Sequence, residues 1–182
     1  MQKYEIITDQ NDENYGRIKA LTDFGAVKKG DIGGKIDNYD NLSQEGDCWV
    51  YINAQVRDDA RVYGNAEVYG KAKVLGDAEV CEDARVYGNA KVCGNAKVCG
   101  DARVSGDAEV YGNAWVSGDA HVYGEAEVYD NATVYGNARV SGNTEVYGNA
   151  QVYDDAWVFG KAKVSGDSEV SGDAKVNGEA EA

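Results

Sequence analysis

The chain has 182 residues, with 32 acidic against 18 basic side chains, one His, no Pro and a formal net charge of −14. That charge disfavours nucleic acid and anionic membranes as partners, and it favours basic protein surfaces and cations. A single histidine excludes sites that need several imidazoles, and no apolar run reaches membrane-spanning length.

Residues 1–49 read as an N-terminal β cap that runs into an irregular first coil. The segments KYEIIT and GRIKALTDFG predict two short strands joined by a polar loop from Asp9 to Tyr15, placed to cover the first rung and protect its edge. Ile36 and Leu42 are six residues apart and Cys48 precedes Val50 by two, so the first coil is expected to start near Ile32. Gly33 and Gly34 read as a turn, because no phosphate-loop motif surrounds them.

From Val50 to Val176 every sixth residue is a valine, 22 in succession. Two residues before these valines, from Ala54 to Ala180, stands an alanine, replaced only by Thr144 and Ser168. Two residues after the valine comes Gly in most hexads, followed by Asn or Asp, which are residues suited to a tight corner. Each hexad is therefore a short strand plus a turn. A fixed period of this kind predicts a parallel β-helix over residues 50–182, in which every rung buries its small and branched side chains against the rungs above and below.

The pattern VYGNAEVYGKAKVLGDAEV resembles the hexapeptide-repeat proteins. The resemblance implies an all-β, single-stranded, left-handed parallel β-helix of triangular section with three hexads per coil, hence about seven coils and a prism roughly 35 Å long. The stretch LTDFGAVKKGDIGGKIDNYDNLSQEGDCWVY resembles the N-terminal region of bacterial acyltransferase-like members of that superfamily, which implies a cap and no active site.

With 18 residues per coil, residues that differ by 18 stack into outward columns beside the valines. One face carries Glu109, Glu127 and Glu145 next to Tyr111, Tyr129 and Tyr147. Stacked carboxylates repel one another unless something compensates them, and a tyrosine column offers rigid contact area, so this face is the candidate partner-binding surface. A second face carries Arg85, Arg103, His121 and Arg139, ending at Trp157, with Tyr87, Tyr123 and Phe159 alongside. This is a secondary candidate, a basic stripe suited to phosphate or a nucleotide, with Glu67 and the corner acids expected to neutralise part of it. The third face mixes Glu79, Lys97, Trp115, Thr133 and Gln151, and its corner stacks Asp83, Asp101 and Asp119. Those aspartates read as corner residues rather than calcium ligands.

Four cysteines are present. Cys81 and Cys99 stack on adjacent rungs within disulfide reach, yet reduced thiols are expected, as is a cytoplasmic location, because no signal sequence opens the chain.

Hexapeptide-repeat acyltransferases use a general-base His, and usually an inserted loop or C-terminal helix that shapes the pocket. This chain offers His121 alone, with no loop breaking the register after Val50. The γ-class carbonic anhydrases of the same coil need three His per zinc, and ice-binding relatives need Thr ladders. The reading is therefore a non-catalytic acidic binding rod with no catalytic residue, cofactor or metal. Its expected partner is a basic protein surface, and the nucleic-acid groove of a DNA- or RNA-targeting enzyme is one such surface. In shape and charge the chain also resembles the pentapeptide-repeat proteins, acidic rods that imitate DNA, and a phage or mobile-element inhibitor would suit such a surface. Self-association through one face, a structural spacer and an acyltransferase-like protein are the alternatives.

Overall fold

The computed structural model describes residues 2–9 and 12–178. Its strands form three parallel sheets wound into one solenoid of about eight coils, and the one helical element among the described residues is a 3-10 turn at Tyr39–Asn41. Each hexad contributes a strand centred on its valine, and partners in register are 18 residues apart, as in Val110↔Val128↔Val146 and Val104↔Val122↔Val140.

The interior is the column that the hexad spells out. Val50 to Val164 and Ala54 to Ala162 are buried, with Thr144 taking one alanine position and donating its Oγ1 to the Ser141 carbonyl at 2.7 Å. Each buried valine removes apolar surface worth about 1.5–3 kcal/mol, and the gain repeats rung after rung. In the last described coil this order loosens. Ser168 and Ala174, expected inside, are exposed, and Val170 and Val176 are half-buried.

The corners need a positive φ, which Gly adopts without a steric penalty. It occurs at the glycine two residues after the valine rather than at the Asn or Asp that follows. Where that glycine is missing, Asp58, Glu82, Asp130 and Asp154 take the same conformation, at φ between 57° and 59°. Each then accepts a hydrogen bond from the backbone N–H of the glycine one coil on: Gly76, Gly100, Gly148 and Gly172, at 2.8–3.2 Å. The Asn beside the corner forms amide ladders, such as Asn95 to Asn113 to Asn131 to Asn149, at 3.0, 3.1 and 3.3 Å.

At the N-terminal end, strands Tyr4–Asp9 and Asp12–Ala20 pair antiparallel, and the second pairs antiparallel with Ile32–Ile36. The connection is shorter than the loop from Asp9 to Tyr15 read in the sequence, since Asp12–Tyr15 belong to the second strand; residues 10 and 11 lie outside the described residues. Ile32–Ile36 then pairs parallel with Gln55–Val56, so the cap continues one face of the solenoid. Ile36 pairs with Val56 and Leu42 bridges to Val62, a step of 20, whereas Val50 pairs with Val68 at the regular 18. The two extra residues fall between Leu42 and Val50, and this irregular coil raises the expected seven to eight. Gly33 and Gly34 are not a turn but part of the strand Ile32–Ile36. A Cβ on either would lie about 2.5 Å from a backbone oxygen of the next coil, so only glycine fits.

Candidate functional site

Side chains flanking each valine point outward, and a diagonal relation governs them. A residue just after one valine meets the residue 16 positions later, just before the valine one coil on. Tyr111 donates its hydroxyl to Glu127 at 2.9 Å, Tyr129 to Glu145 at 3.2 Å, Tyr51 to Glu67 at 2.9 Å and Tyr63 to Glu79 at 3.1 Å. The columns read from the sequence are present, but this diagonal was missed. The signal was available as the recurrence of Glu 16 residues after Tyr.

On the first face the structure brings all six candidates together. The rings of Tyr111, Tyr129 and Tyr147 stack at centroid distances of 4.9 and 5.0 Å, nearly parallel. Glu109 pairs with Lys91 at 3.6 Å and Glu145 with Lys163 at 2.9 Å, so the carboxylate column is flanked by lysines at both ends. Much of the compensation that the sequence reading sought in a partner is therefore internal. Lys163, then Tyr129, holds the Glu145 carboxyl below its usual range. Tyr129 is pushed up to about 12, first by desolvation and then by its bond to Glu145, so its phenol stays protonated as the donor of that bond at ordinary pH.

On the second face Arg103, His121 and Arg139 are register partners and Trp157 follows Arg139. Where the tyrosine column is interrupted by Ser141, Trp157 covers the gap and donates its Nε1 to Ser141 Oγ at 3.1 Å. The same diagonal relates His121 to Ser105, a buried serine, and the imidazole lies 5.0 Å from the Tyr123 ring. Burial, then Arg103 and Arg139, holds His121 below its ordinary value, and its Nε2 is buried with no hydrogen-bond partner. Among the described residues no carboxylate or hydroxyl is hydrogen-bonded to that ring.

The third face carries a half-exposed Trp115, at 50%, between two shallow recesses. One, of about 520 Å³, is lined by Asn95, Lys97, Asn113 and Trp115; the other, of about 290 Å³, includes Ser117, Thr133, Tyr135 and Gln151. A third recess of about 270 Å³ lies at Tyr51, Glu67 and Tyr69. Among the described residues no three His, Cys, Asp or Glu side chains converge as metal ligands would.

Cys81 and Cys99 are joined in a disulfide, contrary to the reduced thiols expected. A separation of 18 sets them at the same place on neighbouring rungs with Cα atoms 4.7 Å apart, inside the bonding range. Cys93 is a free thiol, and so is Cys48, whose buried sulfur is pushed up in pKa by desolvation. No helix among the described residues is long and apolar enough to cross a membrane.

A family model described as YdcK Beta solenoid repeat matches residues 126–142 and 134–148. The match falls within the coils that carry Glu127, Tyr129, Arg139 and Glu145. No curated protein matches the chain. The architecture and this local similarity together describe a β-solenoid repeat protein.

Proposed function

We propose that the chain is a non-catalytic binding protein that presents the face of Glu109, Tyr111, Glu127, Tyr129, Glu145 and Tyr147 to a basic protein surface. The observation that carries this reading is the ladder itself: three stacked tyrosines, two of them hydrogen-bonded to the glutamates of the next coil. The rings and carboxylates are held in place before any partner arrives, so little side-chain entropy is lost on contact. Between Asp107 and Asp155 nine acids face one base, Arg139, which adds long-range attraction for a cationic partner. A groove that normally holds nucleic acid is the basic surface this charge suits best, and a phage or mobile-element inhibitor is the biological role we attach to it. The hexapeptide-repeat resemblance keeps an acyltransferase-like protein as the alternative, and a spacer rod as the other.

The test combines capture from host extract with kinetics on the purified partner. Binding of the unaltered protein is expected to weaken as salt rises; reversing Glu109, Glu127 and Glu145 to lysine is expected to slow association, whereas truncating Tyr111, Tyr129 and Tyr147 to alanine is expected to speed dissociation. Binding that survives both triple variants overturns the assigned face. An acyl-CoA-dependent transfer activity that disappears in His121→Ala, with the fold intact, overturns the non-catalytic reading.

A further inference from the structure

The chain is acidic overall, yet one outward column of the second face carries a run of bases. Along the second face the outward column runs Glu67, Arg85, Arg103, His121, Arg139 and Trp157. Glu67 takes Arg85 at 3.2 Å. Among the described residues neither Arg103 nor Arg139 forms an ion pair, so the neutralisation expected from the corner acids does not reach them. Both are exposed, and they flank His121 on the rungs to either side.

We propose that Arg103, His121 and Arg139 form a binding site for a phosphate or diphosphate group of a small molecule, gripped by the two guanidiniums over the imidazole. Neighbouring rungs are 4.7 Å apart at Cys81 and Cys99. Two rungs therefore place the Cα atoms of Arg103 and Arg139 roughly 9–10 Å apart, a span that two long side chains close on one anion. Guanidinium offers a planar pair of donors to each phosphate oxygen pair, and its charge is permanent. His121 lies between them on the middle rung, where its charge rather than a direct bond from the buried Nε2 answers the anion. Its Nε2 lacks a partner, and the charged groups acting on it are Arg103 and Arg139 from the flanking rungs, with Tyr123 as its titratable neighbour on its own strand. Burial, then the two arginines, disfavours the imidazolium in the free protein. An anion between them reverses that balance, so phosphate binding takes up a proton at His121 and strengthens as pH falls.

His121 is the sole histidine, so its imidazole proton resonances in the intact protein are assigned without labelling. The experiment follows its NMR titration with pyrophosphate, inorganic phosphate and sulfate, using chloride at matched ionic strength as reference. Pyrophosphate is expected to raise the His121 pKa, each unit of rise corresponding to about tenfold tighter binding to the protonated form. In an Arg103→Gln/Arg139→Gln variant the free-protein pKa is expected to rise, because two repelling charges are gone. Its affinity for pyrophosphate is expected to fall by roughly tenfold or more, as loss of a charge-assisted bond implies. Circular dichroism and thermal melting establish that this variant is folded. A shift no larger than chloride gives, pyrophosphate bound no better than sulfate, or unchanged binding by the double variant would each overturn the proposal.

Discussion

Val128 and Lys3 are both buried, and the two regions of the molecule that they represent, repeat and cap, are held by opposite means. Val128 lies in register between Val110 and Val146, with Ala126 two residues before it, and the same arrangement recurs along the solenoid. Lys3 in the cap is 5% exposed. Its Nζ donates to the carbonyls of Glu45, Gly46 and Cys48 at 3.1–3.4 Å and sits 4.8 Å from the centre of the Phe24 ring. Around it Tyr4, Ile18, Phe24 and Trp49 close the end of the column, with Tyr4 donating its hydroxyl to the Leu42 carbonyl at 2.6 Å. A repeat stabilises itself by identity of neighbours. A cap must instead satisfy, one by one, the groups that the missing next rung leaves open.

The sharpest way to break the comparison is Val128→Asp. It buries a carboxylate with no partner between two apolar rungs, and no adjacent site relaxes to solvate it. A loss above about 4–5 kcal/mol is expected, enough to prevent folding at ordinary temperature. Circular dichroism and expression in soluble form read the outcome, and a cooperative melt near that of the wild type would contradict the buried assignment of the valine column.

Lys3→Met comes next and tests the cap alone. The apolar stem is kept, but three carbonyls lose their donor, each unsatisfied buried group costing about 1–3 kcal/mol unless water reaches it. The solenoid should persist while the cap frays, so Trp49, 2% exposed in the native protein, should become accessible to a fluorescence quencher without loss of far-ultraviolet strand signal. Loss of both signals together would mean that cap and repeat fold as one unit.

These two regions also differ in how far the chain announces them. The valine register needs no tertiary information, because each rung contacts copies of itself; the inward face follows from the spacing, while the three-hexad coil, and the sheet order it sets, came from the resemblance to hexapeptide-repeat proteins. The cap gave away its strands and the start of its coil, but neither Lys3 nor Asn41 could be read. Asn41 is fully buried and donates its Nδ2 to the carbonyls of Asp58 and Ala60, both at 2.9 Å, partners about one coil away that no local pattern predicts. On the outer faces the columns were legible and their chemistry only half so. Glu109, Glu127 and Glu145 were seen as a stacked charge, whereas Lys91, Lys163 and the diagonal tyrosines that temper it were not combined with them. The disulfide was within reach of the same arithmetic, which stacks Cys81 on Cys99; the scattered placement of Cys48 and Cys93 and the lack of an accompanying His turned the reading to free thiols instead.

A corner substitution refines the account of the repeat. Gly106 has φ +72°, and a Cβ there would lie 2.9 Å from the Gly124 oxygen of the next coil. Gly106→Ala is expected to cost about 1–2 kcal/mol for the left-handed backbone alone. Gly106→Asp should cost less, although its side chain is larger, because its carboxylate can accept from the next coil's N–H as Asp130 accepts from Gly148 at 3.2 Å. Paired denaturant titrations decide it. An aspartate variant less stable than the alanine variant would show that the four native acidic corners owe their fit to something other than this bond.

The smallest effect is expected at Glu127→Gln, on the outer face of the same rung as Val128. Glutamine keeps an acceptor for Tyr111 and removes a charge that stands between Glu109 and Glu145, so stability should change by less than about 0.5 kcal/mol, and upward if at all at low salt. Alkaline titration gives a larger signal. Tyr111 is raised above its ordinary value of 10.0 by desolvation, then by the hydrogen bond and charge of Glu127. A folded state that favours the neutral phenol contributes stability in full below the unfolded value, and that stability is lost as pH rises through the folded one. In Glu127→Gln the Tyr111 phenol should ionise earlier, and the variant should shed less stability than the wild type above about pH 10, because desolvation is the main cause left to raise it. Ultraviolet difference titration in parallel with melting curves measures both. An unchanged phenol titration would mean that the Tyr111–Glu127 bond is absent in solution, and with it part of the preorganisation on which the assigned binding face depends.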